Sequence, residues 1–207
     1  MPFITLEGIE GCGKSTQARR LAQALGPDTC LTQEPGGTEL GRGVRALLLD
    51  HRHHGMAGEA EVLLFFADRA QHVREVLRPA LLSGRTVVSD RYVDSSLAYQ
   101  GHGRGLPLRL LEAVAELATG GLRPDLTLWL DLPVEAGLAR AASRGGHDRL
   151  EAEELAFHER VRAGYAALAA REPERWRQVD ASGAPDEVAA RLLAVVAERG
   201  LVVHGLR

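Results

Sequence analysis

The chain has 207 residues and a formal net charge of −3, a size that suits one domain with a sizeable buried core. The slightly acidic balance argues against nonspecific binding to nucleic acid. Two cysteines, Cys12 and Cys30, rule out a disulfide framework and favour a cytoplasmic location. The N-terminal segment has no basic region and no apolar run long enough for a signal peptide or a membrane helix, so we expect no membrane partner.

A glycine-rich motif follows the first β-prone run and precedes a helical pattern. Residues 8–16, GIEGCGKST, fit the P-loop pattern G-x-x-x-x-G-K-[ST]. Such a strand–loop–helix unit wraps a triphosphate in backbone N–H groups at the N-terminus of the helix. In that arrangement Lys14 reaches the β- and γ-phosphates and the Ser15 hydroxyl ligates Mg²⁺. The residues predicted to bind the nucleoside triphosphate are Gly8, Ile9, Glu10, Gly11, Cys12, Gly13, Lys14, Ser15 and Thr16.

Lys14 is also the only lysine of the chain. Elsewhere the strongly basic side chains are all arginine, yet the motif keeps an ammonium group. Because a guanidinium does not replace a compact point charge in a narrow phosphate cradle, this single lysine supports the assignment of the motif.

The rest of the chain alternates between β-prone runs and helical patterns. The β-prone runs lie at residues 3–6, 30–32, 86–89, 126–132 and 175–182. The helical patterns lie at residues 18–25, 40–48, 58–82, 107–118, 134–142, 151–170 and 186–199. This alternation predicts an α/β fold of the P-loop NTPase type, with a five-stranded parallel sheet and helices on both faces.

Ligands of parallel sheets bind at the carboxyl ends of the strands. In this chain those ends are predicted to be the P-loop and the residue pairs 34–35, 90–91, 131–132 and 180–181. We therefore expect these segments to lie along one edge of the sheet.

Four separated motifs resemble those of bacterial thymidylate kinases and occur in the family's order. They are EPGGTELGRGVR (34–45), LLFFADR (63–69), VVSDRYVDSSLAYQG (87–101) and a lid-like RAASRGGHDRLE (140–151). The resemblance runs from residue 3 to about residue 180. It implies a single kinase domain over residues 1–207, with a short lid at about residues 140–151. It further implies a homodimeric cytoplasmic enzyme that makes dTDP and ADP from dTMP and ATP with Mg²⁺.

The same resemblance assigns the contacts of the acceptor dTMP. Arg45 and Arg91 match positions that hold its phosphate, and guanidinium forks suit phosphate. From the residues alone, Arg45 could instead be a solvated helix residue and Arg91 could form an ion pair with Asp90. Phe65 would lie against the base, and its neighbour on the helix points about 100° away. The remaining dTMP contacts would be Arg69, Ser96 and Gln100 on the base and Glu10 on the sugar 3′-hydroxyl.

Phosphoryl transfer needs positioning and charge neutralisation more than covalent help. The acceptor phosphate, with a second pKa of about 6, is mostly a dianion at neutral pH, so no general base is required. Asp90 is predicted to hold Mg²⁺ together with Ser15, directly or through water.

The P-loop itself offers no positive charge beyond Lys14, although negative charge develops on the transferred phosphoryl group. We therefore expect lid arginines, Arg149 assisted by Arg144, to reach the γ-phosphate when the lid closes. Arg140 and the turn at residues 180–185 are predicted on the adenine side from the family layout.

Three other interpretations stay open at this stage. Another nucleoside or nucleotide kinase would share the P-loop and the Asp-Arg pair. A GTPase switch would need the N-K-x-D motif, for which the chain has no lysine outside the P-loop. A degenerate P-loop protein could bind nucleotide without turnover, although Lys14, Ser15 and Asp90 are all present.

Overall fold

A parallel sheet forms the centre of the structure, a computed structural model that describes residues 1–143 and 148–200. Its strands are β1 (Phe3–Glu7), β2 (Cys30–Gln33), β3 (Val87–Asp90), β4 (Leu126–Asp131) and β5 (Trp176–Asp180). They are arranged in the order β2–β3–β1–β4–β5, with β1 parallel to both of its neighbours. The five-stranded parallel sheet predicted from the alternating pattern is confirmed.

Helices connect the strands and surround the sheet. They are α1 (Lys14–Leu25), α2 (Glu39–Leu49), α3 (Gly58–His72), α4 (Arg78–Leu82), α5 (Val93–Ser96), α6 (Leu108–Thr119), α7 (Val134–Ala142), α8 (Leu155–Arg171) and α9 (Pro185–Glu198). Short π-helical segments at Val73–Leu77 and Leu97–Gly103 extend α3 and α5, and His51–His53 forms a 3₁₀ turn. No helix within the described residues is long and apolar enough to span a membrane.

The helices differ from the sequence prediction in two notable places. Helix α8 begins four residues later than expected, because Asp148 Oδ1 accepts hydrogen bonds from the backbone N–H groups of Leu150 and Glu151 and holds a turn there. The helical segment from Val93 to Gly103 was not predicted. Its residues are nearly all buried, so it lacks the alternation of polar and apolar faces on which such a prediction depends.

The register of the sheet brings the predicted ligand segments to one edge. Leu6 of β1 pairs with Asp90 of β3, and Asp131 of β4 pairs with Asp180 of β5. Just beyond β2, the Glu34 N–H donates to the Asp90 carbonyl oxygen at 2.9 Å. The P-loop and the segments after β2, β3, β4 and β5 therefore lie along the carboxyl edge, as expected from the sequence.

The P-loop packs against α7 by direct contact between two glycine backbones. A Cβ atom placed on Gly11 would lie 1.9 Å from the carbonyl oxygen of Gly137. A Cβ placed on Gly137 would lie 2.5 Å from the carbonyl oxygen of Glu10. Gly11 also has φ of +69°, a conformation that favours glycine. There is accordingly no room for a side chain on either surface.

We expect Gly137→Ala to destabilise the protein by about 1–3 kcal/mol, because overpacking forces the backbone apart. This loss should exceed the gain of ~1 kcal/mol that alanine normally brings to a helix. Gly58→Ala, at the start of α3, is the matched control, since its Cβ would meet Leu106 at an ordinary 3.4 Å. Denaturant unfolding of both variants checks the prediction. A Gly137→Ala protein as stable as the wild type would refute the close packing.

A fully buried carboxylate, Glu7, ends β1 directly before the P-loop. It accepts hydrogen bonds from the Tyr92 N–H at 2.8 Å, the Ser95 hydroxyl at 2.5 Å and the Tyr165 hydroxyl at 3.0 Å. Burial, followed by repulsion from Asp94, raises the pKa of Glu7 from 4.5 to about 7. The native state therefore holds this proton more tightly than the unfolded chain does.

The raised pKa of Glu7 predicts a pH dependence of stability. The proton on Glu7 adds to the free energy of unfolding. This contribution is complete below about pH 4.5 and is lost as pH rises through about 7. At about 1.4 kcal/mol per pKa unit, the full effect is roughly 3 kcal/mol. The test is the free energy of unfolding of the wild type and of Glu7→Gln, measured from about pH 5 to about pH 8. The wild type should lose stability over this range relative to the variant, which has no titratable group at position 7. Parallel curves would contradict the assignment.

Candidate active site

A cavity of about 390 Å³ opens along the carboxyl edge of the sheet. Of the residues predicted to bind the triphosphate, it is lined by Glu10, Gly11, Gly13, Lys14, Ser15 and Thr16. Ile9 and Cys12 instead pack into the hydrophobic core beneath the loop. Gly8 lies at the base of the loop, where a Cβ would meet the Leu130 carbonyl oxygen at 2.6 Å. The P-loop therefore presents one face to the cavity and anchors the other in the core.

Lys14, Ser15 and Asp90 lie at the floor of this cavity. The Lys14 ammonium donates to the Ile9 carbonyl oxygen at 2.8 Å, within the loop itself. The Ser15 hydroxyl donates to Asp90 Oδ2 at 2.5 Å, which joins the start of α1 to the end of β3. A hydroxyl and a carboxylate in contact are two oxygen ligands of the kind that Mg²⁺ prefers.

Arg91 connects the P-loop with the helical segment that follows β3. Its guanidinium donates to the Gly8 carbonyl oxygen at 3.2 Å, to the Ser95 hydroxyl at 3.0 Å and to the Tyr99 hydroxyl at 3.1 Å. The same guanidinium lies over the Tyr99 ring, 4.8 Å from its centroid. Arg91 has φ of +74°, which is uncommon for a residue with a Cβ atom and frequent at functional sites.

Glu10 turns its carboxylate from the P-loop towards Arg91. The Tyr99 hydroxyl donates to Glu10 Oε1 at 2.6 Å, and the buried His158 Nδ1 lies 3.2 Å from Oε2. Burial raises the pKa of Glu10, but the facing His158 ring and two nearby cations, Arg91 and Lys14, outweigh it. The pKa is lowered to about 2, so the carboxylate is ionised at neutral pH.

Like Glu10, the other side chains predicted to hold the acceptor line this cavity. They are Arg45, Phe65, Arg69, Arg91, Ser96 and Gln100. Arg45 donates to the Pro35 carbonyl oxygen at 2.9 Å, beside the cis peptide bond between Glu34 and Pro35. Phe65 faces the cavity, whereas Phe66 belongs to the hydrophobic core. Phe65 also packs against Leu48 and Leu150, so its contact with a base stays a prediction.

Arg69 is held from several sides at the back of the cavity. Its guanidinium donates to Glu34 Oε2 at 2.6 Å, to the Ser96 hydroxyl at 3.0 Å and to the Tyr92 carbonyl oxygen at 2.9 Å. His72 contacts the other oxygen of Glu34 at 2.8 Å. Glu34 therefore fixes the position of Arg69, a role that the turn prediction at this residue did not include.

Arg140 contacts the segment that was predicted with it on the adenine side. Its Nη1 donates to the Ala181 carbonyl oxygen at 3.0 Å and its Nη2 to the Gly183 carbonyl oxygen at 3.4 Å. The structure therefore brings the end of α7 next to the loop between β5 and α9.

Of the two predicted lid arginines, the structure describes Arg149 and does not bring it to the P-loop. Arg149 is buried, with Nη2 2.6 Å from Glu61 Oε2 and Nε donating to the Leu48 carbonyl oxygen at 2.8 Å. Its contact with a γ-phosphate would require this ion pair to separate, and it stays a prediction. Arg144 lies outside the described residues.

Several buried side chains that contact the predicted site residues were not identified from the sequence. Among them are Glu61, Tyr99, His158 and Tyr165. Glu61 could have been found, because it lies four residues before Phe65 and eight before Arg69, on the same face of α3. His158 and Tyr165 lie on α8, and no local pattern connects them with the P-loop.

Comparison with known proteins places these features in one family. The sequence model described as Thymidylate kinase matches residues 6–192. The thymidylate kinase of Desulfovibrio desulfuricans is 56% identical over 196 residues, which cover 90% of each chain. That of a Synechococcus species is 56% identical over 202 residues, which cover 95% of each chain. The crystal structure of thymidylate kinase from Ehrlichia chaffeensis matches with a TM-score of 0.78 and 30% identity, covering 94% of this chain and 98% of that one.

These comparisons confirm the P-loop NTPase fold and the resemblance carried by the four motifs. They do not favour the alternative of a kinase for another nucleoside or nucleotide. Because the family model matches residues 6–192 and the relatives are 56% identical over nearly the whole chain, the chain belongs to the thymidylate kinase family.

Proposed function

We infer that this chain is a single kinase domain whose sheet-edge cavity holds ATP on the P-loop and dTMP against α3 during phosphoryl transfer. The enzyme phosphorylates dTMP with ATP, in keeping with its family. The observation that carries the site assignment is that Lys14, Asp90, Arg91 and Gln100 line one cavity. Two nucleotides bound from its two sides would bring their phosphates together at Arg91.

Transfer between two phosphates requires cations where the negative charges meet. The dTMP phosphate is mostly a dianion and serves as its own nucleophile, so the chain needs to supply position and charge. Arg91 and Arg45 would hold this phosphate, and Lys14 would neutralise the phosphates of ATP. Glu10, kept ionised by its surroundings, would accept a hydrogen bond from the sugar 3′-hydroxyl.

Mg²⁺ is the cofactor proposed for this site, and two side chains fit it. The Ser15 hydroxyl and the Asp90 carboxylate, already in contact, would hold the ion directly or through water. Bound with ATP, Mg²⁺ would supply neutralisation of charge on the transferring phosphoryl group.

The base side of the acceptor site is proposed from three polar groups around one aromatic ring. Phe65 would lie against the pyrimidine, with Arg69, Ser96 and Gln100 at its polar edge. Arg69 has five N–H donors and gives three of them to Glu34, Ser96 and Tyr92, so donors remain for a ligand oxygen.

We expect Lys14→Ala to lower kcat by on the order of 10²–10³-fold, because a cation is lost where charge develops. Equilibrium binding of dTMP should change little, since Lys14 lies on the ATP side. Lys14→Arg is the matched variant: it retains the charge but not the compact ammonium, so it should recover only part of the activity. ADP release in the presence of dTMP measures the effect. Unchanged turnover in Lys14→Ala would refute the assignment of the P-loop as the ATP site.

A homodimer is proposed from the exposed apolar side chains of three adjacent helices. Helix α3 contacts both α2 and α6. Exposed leucines occur on all three, at Leu40 and Leu47 on α2, Leu63 on α3, and Leu110 and Leu117 on α6. On α2 and on α6 the two leucines are seven residues apart and share a face. A second copy of the chain covering this surface would remove these side chains from water.

We expect Leu63→Glu to convert the dimer to a monomer, because it places a charge in the middle of the proposed apolar interface. Leu82→Glu is the control, since Leu82 is also exposed but lies on α4, outside this group of helices. Sedimentation equilibrium gives the mass of each. A monomeric wild type, or a Leu63→Glu protein that remains dimeric, would remove the support for this interface.

A further inference from the structure

Behind the proposed base site, a fully buried carboxylate contacts three polar side chains. Glu61 lies on α3, four residues before Phe65. Its Oε1 accepts a hydrogen bond from Gln100 Nε2 at 2.8 Å, while its Oε2 lies 2.6 Å from Arg149 Nη2 and 3.1 Å from Arg104 Nη2. We propose that Glu61 is a positioning residue that sets the base preference by orienting the amide of Gln100. This inference rests on the acceptor site proposed above.

The orientation of the Gln100 amide follows from the chemistry of its partner. An ionised carboxylate only accepts hydrogen bonds, so the atom of Gln100 that faces Glu61 is the amide nitrogen. Burial raises the pKa of Glu61, but the hydrogen bonds and charges of Arg104, with Gln100 and Arg149, outweigh burial and lower it. The carboxylate is therefore ionised at neutral pH. The carbonyl oxygen is then the end of the amide that Gln100, a lining residue, can present to the cavity.

A carbonyl oxygen presented by Gln100 distinguishes between pyrimidines by the proton at N3. Thymine carries an N3–H donor, which this oxygen can accept. Cytosine has an unprotonated N3, so two acceptors would face each other and both would lose their hydrogen bonds. A buried group left unpaired typically weakens binding by about tenfold to a hundredfold. Through Gln100, Glu61 thus favours a base with an imide proton over cytosine.

Two arginines also hold Glu61 and make its role testable. Both contact Oε2, and Arg104 Nε additionally donates to Oε1, the oxygen facing Gln100, at 3.2 Å. Arg104 and Arg149 offer only N–H donors to this residue. Two guanidinium contacts meet Oε2, at 2.6 Å and 3.1 Å, and only one longer contact meets Oε1. A glutamine at position 61 would therefore keep its carbonyl oxygen at the Oε2 position and turn its NH₂ group to Gln100, with loss of the Arg104 Nε bond. The Gln100 amide would have to reverse to accept from it, and its own NH₂ group would then face the cavity. This reversed amide would suit the N3 acceptor of cytosine.

The test compares kcat/KM for dTMP with kcat/KM for dCMP. We expect Glu61→Gln to lower this ratio by about tenfold to a hundredfold. The rise in KM should fall on dTMP, and KM for ATP should change little. A merely structural role of Glu61 would lower activity with both acceptors alike and leave the ratio unchanged. Thermal unfolding of the variant shows how much of any activity loss comes from instability.

Two further variants keep the test decisive if Glu61→Gln folds poorly. The exchange variant Glu61→Gln with Gln100→Glu keeps the net charge and again presents an acceptor oxygen to N3, so it should restore the preference for dTMP. Arg104→Gln removes one partner of Glu61 but leaves the hydrogen bond to Gln100, so it should keep the wild-type ratio.

Failure of this inference and failure of the proposed site can be told apart with Gln100→Ala. If Gln100→Ala leaves KM for dTMP unchanged, Gln100 does not contact the base and the site assignment itself falls. If Gln100→Ala raises that KM while Glu61→Gln and the exchange variant both keep the wild-type ratio, the site stands. In that case the orienting role of Glu61 is overturned.

Discussion

The parallel pairing of β1 with β3 sets the position of the P-loop relative to Asp90 and Arg91 in the cavity. Because Leu6 pairs with Asp90, the P-loop leaves the sheet at the level where β3 ends. This register lets Ser15 reach Asp90 and lets Arg91 reach the carbonyl oxygen of Gly8. A shift by one residue would turn the side chains of β3 to the opposite face and separate these contacts. The strand register therefore decides which of these side chains can meet.

Two of the arginines that line the cavity, Arg69 and Arg91, contact buried carboxylates. Glu34 holds Arg69, and Glu10 lies beside Arg91. Buried ion pairs of this kind add little to stability, because desolvation offsets much of the attraction between the charges. Their value lies in geometry, since a side chain already held in position loses little freedom when a phosphate or a base arrives. The cavity is therefore preorganised for anionic and polar ligands.

The sequence predicted the sheet and most of the cavity because these depend on local signals. The P-loop is one continuous motif, and Phe65, Arg69, Arg91 and Gln100 belong to short motifs that also line the cavity. The contacts made by Arg149 were not predictable in this way. Its partner Glu61 is distant in sequence, and nothing in the lid motif indicates a buried ion pair.

Residues that support the site from behind were missed for a similar reason. His158 and Tyr165 lie on α8, whose buried face reads as ordinary core packing. Their nearness to Glu10 and Glu7 arises only when α8 packs against the segment after β3. Periodicity indicates that such positions are buried, but it carries no information about which polar group they meet. Tertiary packing decides that contact.

The presence of one lysine, buried at the floor of the cavity, has a chemical consequence. An acylating reagent can form a lysine adduct at only one position of this chain, Lys14. Lys14 is only 7% exposed and donates to the Ile9 carbonyl oxygen, so a small reagent must enter the cavity to reach it. A ligand bound at the P-loop should protect Lys14 from acylation. Mass spectrometry of the one peptide that contains Lys14 can therefore report occupancy of the P-loop, without an engineered residue.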